Sequence, residues 1–60
     1  MNGVTRYYYD LIYRADYLTN EDFDTAVEDA RNSLLKAEYK RVRRELSEDG
    51  INIPDWDDFE

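Results

Sequence analysis

Chemistry in this chain would have to come from carboxylates, tyrosines and one short basic run, because its 60 residues include no histidine and no cysteine. Without histidine the commonest general base and metal ligand is gone, and without cysteine there are no thiolate sites or disulfides. Ser33 and Ser47 have no imidazole to activate them as nucleophiles. Fifteen Asp and Glu residues create neighbouring carboxylates by chance, and none forms a recognisable acid/base pair. The most loop-like acidic stretch is Asp55-Trp56-Asp57-Asp58-Phe59-Glu60. A calcium loop needs oxygen ligands at alternate positions around a central glycine. That glycine is missing here and Trp56 takes the second place, so no metal is predicted. No glycine-rich phosphate loop is present. The reading is of a non-enzymatic protein without cofactor or metal.

Binding chemistry is what remains. Tyr9, Tyr13 and Tyr17 recur every four residues and would line one side of a helix. Tyrosine suits protein interfaces because it combines a large apolar area with a polar tip. Asp22, Asp24, Glu28 and Asp29 would form an acidic helix face. In the tail, Asp55, Asp57 and Asp58 alternate with Trp56 and Phe59, acids beside aromatic anchors. Lys40-Arg41-Val42-Arg43-Arg44, with Lys36 one turn earlier, is the only basic run and the one candidate for contact with nucleic acid.

The elements that must position these groups read as helical. A first helix is predicted from about Val4 to Leu18, with Val4, Tyr7, Tyr8, Leu11, Ala15 and Leu18 on its core side and Ile12 at the edge. Met1 to Gly3 is expected to fray. The second helix starts at Thr19, a good N-cap, with Asp22 at N3 and Leu18 and Phe23 spaced as a hydrophobic staple. It is predicted to run unbroken from Asn20 to about Asp49, where Gly50 can stop it. Its apolar residues change face part-way: Phe23, Val27, Ala30, Leu34 and Ala37 make one stripe, and Leu35, Tyr39, Val42 and Leu46 another. A break near Asn32-Ser33 is the alternative, since both are mediocre helix formers that can cap a new helix. After Gly50 the chain approaches Pro54 extended, and Ile51, Ile53, Trp56 and Phe59 either clamp onto the second stripe or dock elsewhere as a short peptide. The expected fold is all-α: one small helical domain over residues 1–60, a hairpin with the acidic tail packed on it, completed by self-association or a partner.

Charge is segregated along the chain. Residues 1–20 are balanced, residues 21–30 carry −5, residues 31–44 carry +5 and residues 45–60 carry −7, which leaves −7 in total. Acid early and base later along a helix is what its dipole favours. An overall −7 opposes binding to free duplex DNA and favours a basic protein surface. Arg6, Asp10, Arg14 and Asp16 exclude a signal peptide or membrane span over the first eighteen residues, and the lack of cysteine fits a reducing cytoplasm.

These features predict a stoichiometric protein-binding factor, an inhibitor or adaptor that engages a basic, nucleic-acid-handling target in the way of small phage counter-defence proteins or DNA mimics. Two alternatives follow from the same residues. One is a structural helical subunit that self-assembles as a homodimer or higher oligomer through the tyrosine stripe. The other is a small nucleic-acid-binding regulator using the 36–44 basic face.

Overall fold

The computed structural model describes residues 2–14 and 19–59. Every regular element among them is helical. Helix α1 spans Gly3–Tyr13, α2 spans Asn20–Ser33, α3 spans Lys36–Glu48, and a 3-10 turn follows at Trp56–Asp58. None of these helices is long and apolar enough to cross a membrane.

α1 does not fray at its start. Asn2 caps it, its side-chain oxygen accepting the Thr5 backbone N–H at 2.8 Å. At the next helix Thr19 takes the predicted N-cap place, its hydroxyl accepting the Asp22 N–H at 3.2 Å. Leu18, the other half of the expected staple, lies outside the described residues, as do Ala15 and Tyr17.

The expected single helix over 20–49 is instead two helices, so the domain is a three-helix arrangement and not a hairpin. The break falls at Leu34-Leu35, two residues beyond the Asn32-Ser33 alternative; both leucines are extended, with ψ of 153° and 155°. Neither glycine nor proline causes it. The cause is the change of apolar face. Ala26, Val27, Ala30 and Leu34 are buried from α2, and Tyr39, Val42 and Leu46 from α3. A straight helix could present only one of these stripes to α1. Bending lets α1 pack on both helices, which pack more lightly on each other. Leu35, placed by the sequence on the second stripe, is the residue turned outward at the bend, 77% exposed, and Ala37 is exposed as well.

α1 also presents a different side to the core than expected. Thr5 and Ile12 are fully buried with Tyr8 and Tyr9 partly so, whereas Val4 (56% exposed) and Tyr7 (60%) point out. Hydroxyls decide this. Thr5 Oγ1 donates to Glu38 Oε2 at 2.9 Å, Tyr8 OH to Ser33 Oγ at 3.0 Å, and Tyr9 OH to Asp49 Oδ2 at 2.7 Å. These side chains carry apolar area inward and still satisfy their polar atoms.

α3 ends in a Schellman motif. Gly50 is left-handed (φ +86°), its N–H donates to Ser47 O at 3.0 Å, and the Ile51 N–H donates to Leu46 O at 2.8 Å. The turn sends the chain back along α3. Ile53 is buried in the core, and Ile51, Trp56 and Phe59 lie against it. The radius of gyration is 10.3 Å, close to the ~10.4 Å of a folded 60-residue domain.

Candidate protein interface

Three helices and the tail hold the described residues singled out from the sequence. On α2 the buried side is Ala26, Val27 and Ala30; Glu21, Asp24 and Glu28 are exposed opposite it, and Asp22 and Asp29 are exposed on the flank. They form two rows, Glu21–Asp24–Glu28 and Asp22–Asp29, each along the helix axis. The ion pairs formed among the described residues are Arg6–Asp10 at 3.9 Å and Lys36–Asp57 at 4.0 Å. None of the α2 acids takes part in either.

The basic residues divide into two groups. Lys36 faces Asp57 across that 4.0 Å gap, and Arg43 Nε donates to the Ile53 carbonyl at 3.2 Å, so both hold the tail. Lys40, Arg41 and Arg44 are exposed on the outer side of α3. The tail acids Asp57 and Asp58 are exposed, while Asp55, Trp56 and Phe59 are half-buried. Asp55 caps the 3-10 turn, accepting the Trp56 N–H at 2.7 Å while its own N–H donates to Asp58 Oδ2 at 3.1 Å.

The residue that fastens the tail is Arg31, absent from the candidates drawn from the sequence. Its guanidinium lies 3.5 Å above the Trp56 ring and 5.8 Å from that of Phe59, and its Nε donates to the Trp56 carbonyl at 3.0 Å. The available signal was a lone cation in the last turn of an otherwise acidic helix. Beside it Tyr39 is fully buried, its ring edge-on to Trp56 and Phe59 at 5.9 Å each, and its hydroxyl donates to the Pro54 carbonyl. Burial pushes the Tyr39 phenol up to about 12, against the opposing pull of the Arg43 and Arg31 cations.

The tyrosine stripe is split between roles. Tyr9 stacks on Tyr13 with ring centres 5.8 Å apart, and Tyr13 stays half-exposed. The hydrogen bond to Asp49 is the main cause that raises Tyr9 to about 12, with desolvation and the negative charges of Asp49 and Glu45 adding to it. One oxygen of Glu45 is buried there without a hydrogen-bond partner. The third member, Tyr17, lies outside the described residues.

Among the described residues no three acids come together to hold a metal ion. The arrangement presents exposed carboxylates along one helix, outside the ion pairs formed among the described residues. Comparison with models of known protein families, with characterised proteins and with solved structures gives no match to this chain.

Proposed function

We propose that the protein is a non-catalytic, stoichiometric binding factor that places the acidic face of α2 on the basic, nucleic-acid-binding surface of another protein. The observation that supports this is the pair of uncompensated carboxylate rows: five exposed acids from Glu21 to Asp29, none in an ion pair among the described residues. At ~1.5 Å rise per residue they amount to one negative charge per ~3 Å of axis. A single nucleic-acid strand carries one per ~3.4 Å in B-form. A cationic groove shaped for phosphates would therefore meet a similar charge density on a rigid scaffold, steered by its own field. On the tail Asp58 is a further exposed acid beside the half-buried Trp56 and Phe59, and Asp57 is paired with Lys36.

A second reading, a helical subunit that self-assembles, rests on the outward Val4 and Tyr7 of α1. A nucleic-acid-binding role for residues 36–44 is weaker, because Lys36 and Arg43 are engaged by the tail.

The test is release of basic proteins from DNA–cellulose. Added protein should elute a DNA-binding protein as a complex of fixed stoichiometry, and a D22N/D24N/E28Q/D29N variant with unchanged helicity should elute at least tenfold less. Equal elution by the variant, or none by the native chain, overturns the proposal.

A further inference from the structure

We infer that this chain associates with itself head to tail, the acidic outer face of α2 in one copy seated on the cationic outer face of α3 in the next. The core already uses one side of each helix. Ala26, Val27 and Ala30 commit one side of α2 to the core, and Tyr39, Val42 and Leu46 commit one side of α3. The charged rows are on the opposite sides of both helices. Glu21, Asp24 and Glu28 therefore face away from Lys40, Arg41 and Arg44, and no ion pair joins α2 to α3 among the described residues. One rigid body thus carries two complementary surfaces that it cannot close on itself, and a second copy supplies the missing counterpart to each.

The spacings fit. Asp24 to Glu28 is a four-residue step, and so is Lys40 to Arg44, ~6 Å along either axis. Two helices crossing antiparallel set Asp24 opposite Arg44 and Glu28 opposite Lys40, with Arg41 between the two levels and Glu21 next to Arg44. A surface that pairs with a different surface on the next copy is a heterologous contact, which propagates into open chains or rings and does not stop at a two-fold dimer. The cations that bind the tail, Lys36 and Arg43, are not needed for it.

Salt sets the range. Two copies of charge −7 repel, but that repulsion acts between bodies about 25 Å across and is screened beyond ~10 Å at 0.1 M salt, whereas ion pairs in contact are screened less. Association is therefore strongest near ~0.05–0.1 M salt and gone by ~0.5 M.

The experiment is sedimentation velocity on the full chain, with two variants: E21Q/D24N/E28Q on α2 and K40Q/R41Q/R44Q on α3. The native chain should show a sedimentation coefficient that rises with concentration at the lower salt and reverts to monomer at the higher. Each variant alone should stay monomeric. An equimolar mixture of the two should regain a dimer and nothing larger, because each supplies only one intact face. Carbodiimide cross-linking of mixed light and nitrogen-15-labelled native chains is the check that needs no variant: it should join Lys40 to an α2 carboxylate across isotopes. A native chain that stays monomeric at every salt overturns the inference. So do variants that associate as well as the native chain, which would move the contact to Val4 and Tyr7, and so does a chain that ignores its copies but retains a short DNA oligonucleotide through Lys40, Arg41 and Arg44. The α3 variant keeps the α2 face intact, so its behaviour on DNA–cellulose reports on the proposed function separately.

Discussion

Replacing Tyr39 by phenylalanine should reverse its effect on stability between pH ~9 and ~11.5. Tyr39 is fully buried and donates to the carbonyl of Pro54, a residue that is itself exposed. At pH ~9 the variant loses that bond while water can take up the carbonyl, a cost of about 1 kcal/mol. The phenol's value is about 12 when folded against 10.0 for the unperturbed group. Below ~10 both states hold the proton and the native advantage is complete. From ~10 to ~12 the unfolded chain gives up its proton while the folded chain keeps it, so folding loses about 1.4 kcal/mol per pH unit. By pH ~11.5 that loss is about 2 kcal/mol, larger than the bond the variant lacks. Phenylalanine has no proton to lose, so it should be about 1 kcal/mol the more stable of the two there, with the curves crossing near pH ~10.8. Urea unfolding followed by circular dichroism at the two pH values measures this, and the other ionisations, Tyr9 and the lysines among them, cancel in the difference. A native advantage unchanged at the higher pH would refute the argument, since it would mean that burial of Tyr39 does not hold its proton.

Three further outcomes are expected. Arg31→Ala should cost about 1–2 kcal/mol through loss of the ring contact and the Trp56 carbonyl bond, and it should red-shift the emission of Trp56, the only tryptophan; Arg31→Lys should restore only part of either. Leu34→Ala should cost about 2–4 kcal/mol and Leu35→Ala less than about 0.5 in thermal melts, because one leucine fills the core and its neighbour is in solvent. Gly50→Ala meets open space but a positive φ, so it should destabilise by about 1–2 kcal/mol in the same assay.

Local punctuation was legible in the sequence: Thr19 starts a helix, Gly50 ends one, and Pro54 keeps the approach to the last turn extended. These residues act through their own backbone, so their effect needs no distant partner. The change of face that causes the break was legible, and a break two residues earlier was the alternative; that the helix yields at Leu34-Leu35 was not, because both are strong helix formers and the bend is imposed from outside, by competition of two apolar stripes for α1. The rotation of α1 was hidden for a related reason. A helical wheel weighs apolarity, and it ranks Val4 and Tyr7 above Thr5, whose burial depends on Glu38 in another helix. Exposure of the α2 acids followed directly from their charge. That the tail aromatics reach Tyr39 was one of the two readings the sequence offered; that Arg31 fastens them was not, because an arginine over an indole ring is a matter of meeting and not of residue type.

The hydroxyl bonds of α1 span 33, 25 and 40 residues of sequence, and that separation has a consequence for biosynthesis. α1 leaves the ribosome before α2 and α3, and a helix forms within about a microsecond. At ~5–20 residues per second, the 40 residues from Tyr9 to Asp49 take ~2–8 s to add. Until α2 follows, Tyr7, Tyr8, Tyr9 and Tyr13 belong to a nascent chain without its packing partner, and the acceptor for Tyr9 comes only with Asp49. The tyrosine-rich helix is thus the one of the three that waits longest for its full set of partners, open in that time to a chaperone or a neighbouring nascent chain.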